Sequence, residues 1–146
     1  AVGGDAPNPT KRRMAGVAEE ILLHVALGRP VYIAGGFGGS ARIAGTLLGL
    51  ERPWVGGATG LFPSLDDDQR AFLDNHRRQL CPPPWSTLPT DEGGVLRFFD
   101  EHALGTPQWP QNGLSERENR RLFESVNPDE VAELVVRGML VRFADS

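Results

Sequence analysis

The feature that most constrains this chain is a succession of three unlike segments. Val31-Tyr32-Ile33-Ala34 is short, apolar and rich in β-formers. Gly35-Gly36-Phe37-Gly38-Gly39-Ser40 follows, and Ala41 to Leu50 then carries Ile43, Leu47 and Leu48 at helical spacing. An apolar run bounded by Pro30 and Gly35 suits a strand buried on both faces, as in a parallel sheet. Residues 16–27 precede it as a helix, with Val17, Ile21 and Val25 recurring every fourth position, Gly28 as the closing residue and Pro30 as the barrier to continuation. Helix, strand, glycine loop and helix over 16–50 predict an α/β layer fold.

Gly36-Phe37-Gly38-Gly39-Ser40-Ala41 fits the pattern G-x-G-x-x-G/A. Glycines reach positive φ and let a backbone approach a ligand closely. Amides at a helix start lack intrahelical acceptors and sit at the positive end of the helix dipole, so a phosphate satisfies both. The predicted phosphate loop is Gly35, Gly36, Phe37, Gly38 and Gly39, with Ser40 as a hydroxyl donor and Arg42 as added charge. A tight turn with no ligand also fits, although four glycines in five positions exceed what a turn needs. No Lys-Ser or Lys-Thr pair follows, so the loop is not a P-loop. Glu51 lies too close to serve as the ribose-binding acid expected about 20 residues on.

A second constellation is Arg13, Gly16, Glu19 and Glu20, where a basic loop enters a helix bearing adjacent carboxylates. Neighbouring helical residues point about 100° apart, so one carboxylate at most faces a given ligand atom. It could accept hydrogen bonds from ribose hydroxyls. The alternative is an acidic first turn that complements the helix dipole.

The second half reads as helical. Ser64-Leu65-Asp66-Asp67 opens a helix to about Gln79. A second runs from Asp91 or Gly94 to Leu104, with Leu96, Phe99 and Ala103 inward. Ser115-Glu116-Arg117-Glu118 is a capping box, and Asn127-Pro128-Asp129-Glu130 opens a last helix that ends near Gly138. The predicted organisation is therefore α/β: a parallel-sheet portion over residues 1–60, then a helical region over 61–146 packed on the same domain. The chain is expected to begin partway through that domain, because Ala1-Val2-Gly3-Gly4 reads as the tail of a strand.

Composition narrows the partners. With 146 residues and a net charge of −4, nothing suggests a general nucleic-acid binder, which needs clustered Lys and Arg. The lone Cys81 cannot form an internal disulfide, His24, His76 and His102 show no metal-type spacing, and no apolar run reaches the roughly 18–20 residues of a membrane span. A cytoplasmic protein without membrane or metal is the expectation. Trp54, Trp85 and Trp109 either anchor a partner or pin loops to the core.

Three stretches resemble the SLOG superfamily, the Rossmann-like group that includes Lonely Guy and DprA proteins and the nucleotide-sensing domains of bacterial defence proteins and TRPM channels. They are Arg13 to Glu20, Pro30 to Arg42, and Asn112 to Phe123. The resemblance implies a Rossmann-like fold incomplete at its N-terminus, and an NAD-derived or ADP-ribose-like nucleotide as ligand. Gly35 to Gly39 would then be the phosphate loop, and Arg13 with Glu19 or Glu20 would line the cleft. It implies a sensor that regulates an attached effector domain, with a homo-oligomer possible. The alternatives are an N-glycosidase or phosphoribohydrolase using Glu19, Glu20 and Arg13, and an interaction domain with an empty pocket. The Lonely Guy motif P-G-G-x-G-T-x-x-E is absent, which argues against the hydrolase.

Overall fold

The computed structural model describes residues 16–51, 61–62, 66–80, 88–89 and 91–145. They form α1 (Gly16–Ala26), α2 (Gly39–Leu47), α3 (Asp67–Leu80), α4 (Glu92–Glu101), α5 (Glu116–Glu124) and α6 (Pro128–Ala144).

Local chemistry explains most boundaries. α1 buries Ala18, Ile21, Leu22 and Val25, one face at helical spacing. It stops in a Schellman motif: the Arg29 amide donates to the His24 carbonyl (2.9 Å) and the Gly28 amide to Val25 (3.0 Å), with Gly28 at φ 62°. α2 ends the same way, with Leu50 donating to Gly45 and Gly49 to Thr46. Asp66 and Gln69 exchange side-chain-to-backbone bonds at the start of α3. Asp91 caps α4, Ser115 and Glu118 form a full capping box on α5, and Asn127 caps α6 with Pro128 beside it.

The predicted parallel sheet does not form among the described residues. Among the described residues no strand forms; Val31–Ala34 is a buried connector with a single isolated bridge at Ala34. Its burial is as expected, with Val31, Ile33 and Ala34 all inside. What differs is the partner. A strand needs a neighbouring backbone to take its carbonyls and amides, and here the Val31 carbonyl accepts from the Asn112 side-chain amide (2.8 Å). The Tyr32 hydroxyl donates to the Asn112 carbonyl (2.7 Å). The described portion is therefore helical rather than α/β.

Two clusters of buried side chains hold it together. The larger joins α1, α2 and α4 through Ile21, Leu22, Leu48, Val95 and Phe99, and includes Trp109 and Phe123. Trp109 thus pins its loop to the core, while Trp54, Trp85 and Cys81 lie outside the described residues. The smaller cluster, Leu114, Leu122 and Leu134 with Tyr32, Val131 and Val135 against it, joins α5 to α6.

The last helix does not end near Gly138 but runs to Ala144. A Cβ at Gly138 would lie 2.7 Å from the Asn112 carbonyl oxygen and from a Tyr32 ring carbon. This glycine is a contact point, where bare backbone lets α6 approach the 112–114 turn, rather than a stop signal.

The α5–α6 pair also carries a pH dependence. The Glu118 carboxylate accepts from the Ser115 amide (2.9 Å), the Arg137 guanidinium (2.8 Å) and the Ser115 hydroxyl (2.8 Å). Those donors, the Ser115 amide first, hold its pKa at about 2, below the ordinary 4.5. A depressed carboxylate stabilises the fold above its unfolded pKa and loses that contribution as pH falls through the folded value. Allowing for solvent screening, Glu118→Gln should cost about 1 kcal/mol at neutral pH. In denaturant melts, the gap between wild type and variant should close as pH drops from 4.5 to about 2. A gap that ignores pH would contradict this account.

Candidate functional site

The glycine loop crosses from the buried connector to the N-terminus of α2. The Gly38 amide donates back to the Gly35 carbonyl (2.9 Å), closing a turn. Gly38 then takes φ 77° and ψ −151°, a region essentially reserved for glycine, and Gly39 takes φ 67°.

The glycines divide into two groups by what surrounds them. A Cβ on Gly35 would strike the Phe123 ring, as would one on Gly45 from α2, so these two residues form the slot that receives Phe123. A Cβ on Gly36 would strike the Ser125 carbonyl at the end of α5. Gly38 is different: no described residue lies within 4 Å of where its Cβ would be. Phe37 beside it is 45 % exposed. Gly38 caps α2 without a side-chain hydrogen bond, whereas α3 to α6 each have a side-chain cap.

The remaining predicted site residues are placed as follows. Ser40 is buried and already engaged within the protein. Arg42 is held by Glu51 (2.7 Å), and its guanidinium carbon lies 5.8 Å from the centre of the Phe123 ring. Thr46 steadies Glu51 through a 3.2 Å hydrogen bond. Gly16 is the first residue of α1, and Arg13 lies outside the described residues. Glu19 is half-buried and engaged; Glu20 is exposed. Glu20 lines a cleft of about 240 Å³ with His24, Val31 and Tyr32.

Sequence reasoning missed the ground on which the loop rests. Ser125, whose carbonyl meets Gly36, also borders an open concavity of about 760 Å³ lined by Arg117, Arg120, Arg121, Glu116, Glu124 and Glu130. Arg120 is committed to the Gly49 and Leu50 carbonyls (2.9 and 3.0 Å) at the end of α2. Arg121 bonds to Glu130 (2.5 Å). The Ser125 hydroxyl and then Arg121 hold the Glu130 carboxyl below its usual pKa. The one signal in the sequence was the capping box, which places Phe123 and the end of α5 but not what they touch.

Comparison with known proteins adds the family. SLOG cluster2 matches residues 2–122, which reach into α5 and leave α6 outside the match. No curated protein and no solved structure matches the chain. The matched stretch contains the whole glycine loop, both acidic residues of α1 and the Asn112 turn, and covers most of the chain: it belongs to the SLOG superfamily, in SLOG cluster2, a group of nucleotide-related domains.

Proposed function

We propose that this chain is a nucleotide-sensing domain, which binds an NAD-derived or ADP-ribose-like ligand at the start of α2 and regulates an attached effector. The observation that carries the reading is Gly38. It holds a conformation that only glycine adopts readily, at a helix N-terminus with no side-chain cap, and no described residue lies within 4 Å of where its Cβ would be. A side chain at this position would cost about 1–3 kcal/mol through the backbone conformation alone, so the turn calls for glycine. Packing accounts for Gly35, Gly36 and Gly45 but not for Gly38. A phosphate would fill the space and meet the positive end of the helix dipole, where first-turn amides have no intrahelical acceptor.

Sensing rather than turnover fits the state of the charged groups. Arg42 is committed to Glu51, and Glu20 stands exposed on α1. A sensor also needs a ligand that binds one state of the attached effector better than another, because equal affinity shifts nothing.

The test is calorimetric titration with NAD, ADP-ribose, cyclic ADP-ribose and AMP, with each mixture assayed for released base. Phe37→Asp is the informative variant, since it places a carboxylate beside the loop at an exposed site without disturbing Gly38. Binding should weaken about tenfold or more from like-charge repulsion, while the melting temperature holds. Equal affinity in Phe37→Asp would place the ligand elsewhere. Base release that vanishes in Glu19→Gln or Glu20→Gln would replace sensing with N-glycoside cleavage. No saturable binding of any of these nucleotides would overturn the reading for this chain.

A further inference from the structure

The glycine loop and the start of α6 meet at one residue. Ser125 closes α5 in an extended conformation (φ −65°, ψ 134°), and residues 125–127 form the short non-helical link to α6. Its carbonyl faces the loop, since a Cβ on Gly36 would strike the carbonyl oxygens of Ser125 and Glu124. Its hydroxyl serves α6: it donates to the Glu130 carboxylate (2.5 Å) and accepts from the Asn127 amide (3.2 Å). Glu130 also accepts from Arg121 on α5, so the link is bridged across its length. The way these parts are held decides which of them shift together. The body of α5 is fixed to α2, because Phe123 fills the slot of Gly35 and Gly45 and Arg120 donates to the Gly49 and Leu50 carbonyls. The contact of Gly36 with Ser125 is backbone against backbone. A side chain absorbs a shift by changing rotamer, but two main chains in contact do not, so a displaced loop displaces the end of α5. The bridge to α6 is softer. The Arg121 side chain is 63 % exposed and borders the open concavity of about 760 Å³. An exposed ion pair is weak, so it re-forms readily in a new position when Ser125 shifts.

We propose that Ser125 is a positioning residue for the glycine loop, and that Glu130 at the start of α6 acts on the loop through it. Occupancy of the loop and the seating of α6 are then linked. A ligand that fixes Gly36 fixes the Ser125 carbonyl and with it the bridge to Glu130. By reciprocity, loosening that bridge weakens the ligand. The inference rests on the nucleotide reading of the loop and adds the route by which its occupancy reaches α6. Ser125 is suited to the part because its two polar groups are divided between the two elements. Its hydroxyl bonds go to Asn127 and Glu130, so removing the hydroxyl leaves the backbone seat of Gly36 in place.

Two measurements on the 146-residue chain test it, with Ser125→Ala and Glu130→Gln as variants. In calorimetric titration with ADP-ribose, each variant should bind about fivefold more weakly than the wild type. In amide exchange followed by NMR, saturating ADP-ribose should slow the Asn127, Asp129 and Val131 amides of the wild type. These bond to the Ser125 hydroxyl, the Asn127 side chain and the Asn127 carbonyl. In Ser125→Ala that slowing should be lost. A merely structural hydroxyl would lower the melting temperature and leave both readings unmoved. Should Ser125→Ala fail to fold, Glu130→Gln carries both measurements, because it changes a half-buried side chain at the surface of the link. ADP-ribose that binds both variants as tightly as the wild type, or that leaves the three amides unchanged, overturns this inference and leaves the nucleotide reading standing. A wild type that binds none of NAD, ADP-ribose, cyclic ADP-ribose and AMP overturns that reading and this inference with it.

Discussion

Asn112→Leu should destabilise the protein by about 3 kcal/mol, lowering the melting temperature by about 10 °C. Asn112 is fully buried. Its amide nitrogen donates to the Val31 carbonyl (2.8 Å) and to the Asn119 side-chain oxygen (2.7 Å). Its own oxygen accepts from the Leu114 amide (3.1 Å) and the Asn119 amide (3.3 Å). Leucine has the same heavy-atom skeleton and is bulkier, so the loss comes from polar groups stranded away from water, with some overpacking, rather than from a cavity. A buried group left without its partner costs about 1–3 kcal/mol, and here several are stranded together. The double variant Asn112→Leu/Asn119→Leu should cost less than the sum of the singles, because it removes both ends of the shared bonds. Denaturant melts of the three variants decide the matter. A single-variant loss below about 1 kcal/mol, or strict additivity, would mean the pair is not coupled.

Gly36→Ala should cost about 2–4 kcal/mol, and no neighbouring substitution should recover it. The added methyl would meet the Ser125 backbone carbonyl, which cannot move without shifting the end of α5. Gly35→Ala should cost a comparable amount for a different reason, since its methyl would meet the Phe123 ring. That clash lies with a side chain, so Phe123→Leu should restore part of the loss in the Gly35→Ala background and none in Gly36→Ala. Equal recovery in both backgrounds would show that the ring, not the carbonyl, limits both positions. The contrast separates the packing glycines from Gly38, whose substitution meets no described residue and costs only through its backbone conformation.

The candidate site was legible in the sequence as a loop but not as a division of labour. The G-x-G-x-x-G/A pattern located the loop and the start of α2, and the family match bore out the SLOG resemblance. Which loop glycines are closed in by packing depends on the Phe123 ring and the Ser125 carbonyl, more than 80 residues away in the chain. Arg42 illustrates the same limit. Its charge is obvious in the sequence, but its commitment to Glu51 follows from where the chain turns after Gly49.

What the sequence determined by itself is local. Ser115 with Glu118, Asn127 with Pro128, Asp91, and Gly28 before Pro30 act within a few residues, through hydrogen bonds and φ preferences that need no distant partner. The tertiary structure decided the rest. Val31–Ala34 is apolar and buried as expected, yet a strand is defined by its neighbour, and among the described residues the partner of the Val31 carbonyl is the side chain of Asn112. Gly138 resembles a helix end, yet the missing side chain serves contact with Asn112 and Tyr32, and the helix continues to Ala144. In both cases the local sequence permits two outcomes, and packing between segments distant in the chain selects one.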